Sequence, residues 1–237
     1  MLPINMQLPT YELTLPSNGK KISYRPFVEY ERKLLLMAVE TKEKKEYLIA
    51  IKKIIESCCE NVNPENLAIF DLEYIFIHLR AKSIGEIVKL NFRCDNVVEG
   101  KSCGKIMNPE VDLTKVEVEG VRKDLKIKLT PTFGVKMKYP SIEAINISYD
   151  ITSRNYLYEI ILNSIDFIWE NENIYYTKDY DKSDILDFIM KLTHDQFTKL
   201  EEFIGEMPIL RKVLIHKCPK CSFEHTITLE GYQSFFI

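Results

Sequence analysis

Two pairs of cysteines are the residues whose type and spacing could do chemistry in this sequence. Cys218-Pro219-Lys220-Cys221 sets two thiols apart by two residues, the spacing from which a tight loop aims both sulfurs at one tetrahedral ion. Cys94 and Cys103 form a second pair, separated by residues 95–102 and followed by Gly104-Lys105. That gap exceeds the roughly two to four residues usual between paired zinc ligands, yet a longer loop can still bring both sulfurs together. Four thiolates complete a tetrahedral shell and leave no position for water, so the ion they imply is a structural zinc. His216 and His225 flank the second pair, and either could replace one thiolate. A redox Cys-x-x-Cys opens a helix, whereas Thr226-Ile227-Thr228-Leu229 alternates as a strand, which makes thiol exchange the weaker reading. Cys58 and Cys59 are adjacent on a helical pattern and cannot easily face one ion together; Cys58 reads as core.

No catalytic apparatus is legible elsewhere. Gly19-Lys20-Lys21 lacks the upstream glycine and the hydroxyl of a phosphate-binding loop, and no GxSxG, HExxH or dinucleotide fingerprint occurs. Carboxylates such as Asp166 and Glu170 are expected on any helix face. Tyr156, Tyr158 and Trp169 read as core, and His78 and His194 as helix residues, so the chain is expected not to be an enzyme. A net charge of −3 with 28% charged residues supplies no positive field to gather nucleic acid or an anionic membrane. The start MLPINMQLPTYEL lacks a basic region followed by an apolar stretch, and the longest strongly apolar run, Leu34 to Val39, is far short of the ~20 residues of a bilayer crossing. The expectation is a soluble protein of a reducing cytosol, where paired cysteines are metal ligands rather than disulfides. Hydrophobic residues make up 46% of the 237, enough for an ordinary core.

The elements that must position these cysteines form an α+β pattern of helical segments, antiparallel β-hairpins and a zinc-ribbon-like element. Tyr11 to Leu15 alternates and meets Pro16-Ser17-Asn18-Gly19 before Lys21 to Tyr24, a hairpin signal with Asn-Gly at the turn. Apolar residues then recur at helical spacing from Val28 to Val39 and from Tyr47 to Cys58, and Asn63-Pro64-Glu65 starts a helix to about Ser83. Alternation dominates from Glu86 to Tyr139. There Leu125, Ile127 and Leu129 alternate with Lys126 and Lys128, and Val135, Met137 and Tyr139 with Lys136 and Lys138, predicting a hairpin with one apolar and one lysine face. A helical pattern runs from about Ser141 through Ile168, broken near Asp150. A strand at Ile174 to Tyr176, a helix from Asp181 to Leu192, and a Thr193-x-x-Gln196 capping box opening another helix complete the set, followed by two short strands flanking Cys218 to Cys221. The expected organisation is 1–90, hairpin plus helices; 91–140, β-rich with the first cysteine pair; 141–213, helical; and 214–237, a zinc-knuckle tail pairing with 91–140, or all four in one compact unit.

Several stretches carry a resemblance. They are Leu8-Pro9-Thr10-Tyr11-Glu12-Leu13 through Lys21-Ile22-Ser23-Tyr24-Arg25-Pro26-Phe27, Glu31 to Ala38, Phe70 to Phe76, and Leu79 to Glu86. Cys218 to Cys221 and Leu229-Glu230-Gly231-Tyr232-Gln233-Ser234-Phe235-Phe236 complete it. Together they resemble the baseplate hub proteins of T-even-type contractile-tailed bacteriophages, over nearly the whole chain. The resemblance implies a late viral protein made in the host cytoplasm, which serves as hub subunit or chaperone-like hub assembly catalyst through contacts with other hub and tail proteins. The virion tail baseplate is its alternative location, and it implies no small-molecule substrate, nucleic acid or membrane. It transfers no catalytic residues. Arg25, Phe27 and Arg80 become candidate contact residues, as do the aromatics Tyr232, Phe235 and Phe236 near the end. The competing class is a zinc-ribbon nucleic-acid binder using Lys126, Lys128, Lys136 and Lys138; a hydrolase with a carboxylate site would need a deep cleft.

Overall fold

The computed structural model describes residues 7–41, 43–122, 124–141, 154–231 and 234. They divide into two compact units, one within 1–64, 70–119 and 209–237, the other within 65–69 and 120–208.

The first unit opens with β1 (Tyr11–Thr14) and β2 (Lys21–Tyr24), paired antiparallel with Leu13 opposite Ile22. Strict alternation turns Leu13, Leu15, Ile22 and Tyr24 inward, all buried. The connection is wider than the two-residue Asn-Gly turn expected from the sequence. The Leu15 N–H donates to the Lys20 carbonyl and the Gly19 N–H to the Leu15 carbonyl, and only Gly19 takes a positive φ. Asn18 instead uses its side chain to accept from the Lys20 N–H. The loop is tied down by Ser17, whose N–H and hydroxyl both donate to the buried Asp71.

Helices α1 (Glu29–Thr41), α2 (Lys44–Cys58) and α3 (Ile69–Ser83) follow. In the first turn of α1 the carboxylate of Glu31, only 4% exposed, accepts from the Val28 N–H at 2.9 Å and pairs with Arg25 at 2.8 Å. One buried acid thus satisfies a helix-start amide and fixes the preceding segment. The helix expected from Asn63 is instead a single 3-10 turn, Pro64–Asn66, because Ala68 makes an extended bridge to Ser141 before α3 begins. α3 is apolar almost all round, with Leu72, Ile75, Phe76, Ile77 and Leu79 fully buried. Such a helix must run through a core rather than over it.

The β-rich segment is a set of nested antiparallel pairs: β3 (Ile87–Lys89) with β8 (Glu110–Asp112), β4 (Phe92–Arg93) with β7 (Ile106–Met107), and β5 (Val97–Val98) with β6 (Lys101–Ser102). β9 (Glu117–Glu119) joins the hairpin of β14 (Ile209–Lys217) and β15 (Glu224–Glu230), in the order β15-β14-β9. Ile77 and Ala81 of α3, Val88, Val111, Leu113 and Val116, and Leu210 and Leu229 share one core. Middle and late parts of the chain are therefore joined by packing as well as by strand pairing.

The second unit is a four-stranded antiparallel meander, β10 (Lys126–Lys128), β11 (Phe133–Met137), β12 (Ile165–Glu170) and β13 (Asn173–Tyr176), with helices α4 (Arg154–Ser164), α5 (Lys182–Met190) and α6 (His194–Gly205). The expected helix through Ile168 ends at Ser164. Ile165-Asp166-Phe167-Ile168-Trp169-Glu170 is β12, because a β-branched and aromatic run gains a paired neighbour on both sides, β11 and β13. The helical break expected near Asp150 lies outside the described residues. Register places Lys126, Lys128, Lys136, Phe167, Trp169, Ile174 and Tyr176 on one face, and Ile127, Val135, Ile168 and Tyr175 on the other. The second face packs with the helices around Ile161, Ile165, Ile185, Leu200 and Phe203. α6 starts at the expected capping box, with both the Thr193 and Gln196 bonds formed.

Candidate metal centre

Each cysteine pair occupies the tip of a hairpin, and the two tips have the same backbone hydrogen bonding. At the β14–β15 tip the Cys218 N–H donates to the Phe223 carbonyl at 2.8 Å and the Ser222 N–H donates to the Cys218 carbonyl at 2.9 Å. At the β4–β7 tip the Cys94 N–H donates to the Lys105 carbonyl at 2.8 Å and the Gly104 N–H to the Cys94 carbonyl at 3.1 Å. The residue after each second cysteine is left-handed, Ser222 at φ 60° and Gly104 at φ 61°. The long spacing of the first pair has a simple cause: the β5–β6 hairpin, Val97 to Ser102, is inserted between Asn96 and Cys103. Its turn residues Glu99 and Gly100 both have positive φ, as a tight two-residue turn requires. The Cys103 N–H donates to the Asn96 carbonyl at 2.8 Å, closing the inserted hairpin at its base. Without it the loop would read Cys94-Asp95-Asn96-Cys103, the spacing of the second knuckle.

The two tips meet. The Sγ atoms of Cys94, Cys103, Cys218 and Cys221 lie within 4.8 Å of one another. Cys94 to Cys221 is 3.6 Å and Cys103 to Cys218 is 3.8 Å. A regular tetrahedron of sulfurs at the usual Zn–S length has an edge of about 3.8 Å. The first three cysteines are buried and Cys221 is half-buried; none is in a disulfide. This donor set fits a metal ion, and four close thiols could bind one. His225 stands outside the four. Its Nε2 is 3.2 Å from the Cys94 sulfur, within hydrogen-bond reach, while Nδ1 faces Asp95 at 3.5 Å. Phe92 and Phe223 hold the imidazole edge-on at 5.1 and 4.8 Å. The Asn96 side-chain amide donates to the Cys221 sulfur at 3.5 Å. Such outer donors offset thiolate charge and orient the ligands.

Two of the thiols differ sharply. Burial pushes Cys94 up to about 12, whereas the Asn96 amide, helped by the Phe223 backbone, brings Cys221 down to about 6. A thiolate at Cys221, the half-open corner, and a protonated Cys94 beside it form a pair that a dication would convert by displacing the remaining proton.

A family model for the T4 bacteriophage base plate protein matches residues 8–237. The chain belongs to this family. No curated protein and no solved structure matches it. Membership in the base plate family assigns a structural or assembly role in the phage tail and makes other base plate proteins its expected partners. Among the described residues of this base plate protein, no helix is long and apolar enough to cross a membrane.

The other residues singled out by sequence are scattered. Arg25 is half-exposed, with its guanidinium on Glu31 and on the Pro26 and Ser57 carbonyls. Phe27 is 6% exposed, and its N–H donates to the Ser83 hydroxyl. Arg80 is half-buried and donates to the Gly85 carbonyl. Tyr232, Phe235 and Phe236 lie outside the described residues. Lys126, Lys128 and Lys136 occupy a sheet of the second unit, while all four clustered cysteines belong to the first. Cys58 and Cys59 are both buried, and burial raises their thiols to about 11 and about 12. Asn96 as a sulfur donor was not legible; Glu99-Gly100 between two short β-branched or polar stretches was the signal that could have revealed the inserted hairpin.

Proposed function

We propose that this base plate protein acts in building the baseplate hub, as a hub subunit or as a hub assembly factor. It works by contact with other hub and tail proteins and without catalysis of its own. The observation that carries this reading is the family match from residue 8 to residue 237, nearly the whole of the sequence. The hub, rather than the outer baseplate, is favoured by the resemblance of the Leu8–Phe27, Phe70–Glu86 and Leu229–Phe236 stretches to hub proteins. Cys94, Cys103, Cys218 and Cys221 hold one zinc that has no open coordination position, so the metal locks two hairpin tips together and takes no part in a reaction. The protein is made in the host cytoplasm, and the virion tail is its destination if it is a subunit. A tagged chain expressed during infection should co-purify with hub components, and its loss should stop tails before wedges join. Mass spectrometry of purified virions separates the two roles, since a subunit is present in them and an assembly factor is not. Recovery of tails with normal baseplates in the absence of the chain defeats the proposal.

One observation favours a second reading. Lys126, Lys128 and Lys136 share their sheet face with Phe167, Trp169 and Tyr176, an aromatic platform with cations beside it of the kind that stacks single-stranded nucleic acid. Two of those rings already have a lysine over them, Lys136 at 6.0 Å and Lys178 at 5.4 Å. Binding of a single-stranded oligonucleotide at low salt supports this reading, and no retention there removes it.

A further inference from the structure

The helix-covered face of the second unit contains a feature that the metal centre and the lysine row do not account for. A cavity of about 460 Å³ opens where the end of the β11–β12–β13 sheet meets α5. Its walls are four aromatic rings set edge to face in two pairs, Phe133 with Phe188 and Tyr175 with Tyr180, each 6.4 Å between centroids. Ile168 and the buried Ile185 make the apolar part of the lining. Two carboxylates, Glu170 and Asp184, complete it, and both are exposed. No ion pair among the described residues engages either one.

Each part of this lining selects against a different occupant. Rings present negative faces, which attract a cation and are indifferent to a neutral polar group. The two carboxylates repel anions and leave a purely aliphatic side chain beside charges that it cannot satisfy. The apolar floor suits a methylene stem, as on lysine and arginine, whose hydrocarbon part packs while the charged head stays at the rim. The surrounding segment adds to the field: between 166 and 187 the acids Asp166, Glu170, Glu172, Asp179, Asp181, Asp184 and Asp187 face only Lys178 and Lys182 in number. Among the described residues β13 is the terminal strand of its sheet, pairing only with β12, and all four of its residues are exposed. An exposed, β-branched and aromatic edge of this kind accepts a further strand.

We propose that this pocket captures a lysine or arginine side chain from a basic, extended segment of a partner protein, which lies along the free edge of β13. The proposal rests on the reading of this chain as one that works through protein contacts, and it names the surface and the chemistry of the partner segment.

The test uses the full chain, labelled with nitrogen-15, and titrates it with Nα-acetyl-arginine amide, its neutral isostere Nα-acetyl-citrulline amide, and Nα-acetyl-leucine amide. The arginine probe should give saturable amide shifts at Tyr175, Tyr180 and Ile185, and the citrulline and leucine probes should bind more weakly by about ten-fold or more. The paired exposed substitutions Glu170→Gln and Asp184→Asn, checked for an unchanged spectrum elsewhere, should bring the arginine probe down to the citrulline level. Shifts that do not saturate, that map away from these residues, or that are as large with leucine or citrulline overturn the pocket assignment. A chain that enters hub assemblies yet ignores arginine loses the pocket but keeps its role. One that binds arginine yet enters no assembly loses the role and keeps the pocket.

Discussion

Removing one sulfur from the cysteine cluster should loosen the first unit by an amount that its topology sets. Cys103 and Cys218 are 115 positions apart, and an ion shared between them closes that stretch in the folded chain. An unfolded chain tethered across a loop of that length loses roughly 5 kcal/mol of conformational freedom by the loop-closure relation, so a metal held by both hairpin tips stabilises the fold by a comparable amount. This is a large share of the ~5–15 kcal/mol that separates folded from unfolded states in ordinary proteins. Cys221→Ser is the informative change, because Cys221 is the half-exposed corner of the cluster and the substitution disturbs little packing. Purified wild-type protein should contain one zinc per chain by plasma mass spectrometry. Cys221→Ser and chelator-treated protein should lose it and unfold about 10–20 °C lower by circular dichroism, at ~2–4 °C per kcal/mol for a chain of this size. Trp169, the one tryptophan in the sequence, sits on β12 of the unit that holds none of the four cysteines. Its emission should therefore report a transition that moves less than the ellipticity does. Wild-type protein free of zinc, or a Cys221→Ser protein with full zinc and an unchanged midpoint, refutes the clasp.

Four further outcomes are open to measurement. Deleting residues 97–102 should leave zinc content at one per chain, since the shortened loop has the spacing of the second knuckle; loss of metal shows that the inserted hairpin helps to build the site. Gly134→Ala should destabilise the second unit by about 2 kcal/mol, because the new methyl carbon would meet the Ile127 carbonyl and lie 2.5 Å from the Trp169 ring; an unchanged urea midpoint by Trp169 emission contradicts it. Glu31→Ala should cost about 2 kcal/mol by leaving Arg25 without its counter-charge and the Val28 N–H without its acceptor, and a thermal midpoint equal to wild type rejects that role. Burial, aided by Lys82, brings His78 down to about 4, so the unfolded chain binds a proton near pH 6.5 that the folded chain refuses until about pH 4. Stability from this residue is then full above about pH 6.5 and falls as pH drops toward 4, by up to ~3 kcal/mol; His78→Phe should flatten that slope in urea titrations, and an identical slope rules it out.

Some of this structure was readable because the signal was local. Thr193 and Gln196 announce a capping box through a spacing that only a helix start uses, and both bonds form. Lys126 and Lys128 alternating with Ile127 specify a two-faced strand whatever surrounds it, and the register puts Lys126 opposite Lys136. Where tertiary pairing decides, the sequence pattern misleads. Ile165 to Glu170 has enough apolar residues to extend a helix, yet β11 and β13 on either side draw it into a sheet. Ala68 is a good helix former, yet its bridge to Ser141 delays α3. Arg25 and Phe27 look like a surface motif by residue type, and only the fold reveals Glu31 and Ser83 as their partners.

The metal centre combines both kinds of signal, and this explains why its first pair looked irregular. A knuckle is defined by two backbone hydrogen bonds around the first cysteine and a left-handed residue after the second, conditions that fix the chain at the ends of the loop. Nothing in them limits what the loop carries between its third residue and its second cysteine, provided that an insertion leaves and returns at one point. An antiparallel hairpin does this, since its two strands end side by side, and the Cys103 N–H on the Asn96 carbonyl seals the point of departure. Counting residues between cysteines therefore measures the insertion and not the site. The glycine after Cys103 and the left-handed serine after Cys221 are the better markers. By that reasoning Gly104→Val, which leaves every sulfur in place but penalises a φ of 61°, should weaken zinc retention against a competing chelator, whereas Gly104→Asn should be tolerated. Equal retention by the two variants would show that the cluster does not depend on the knuckle backbone.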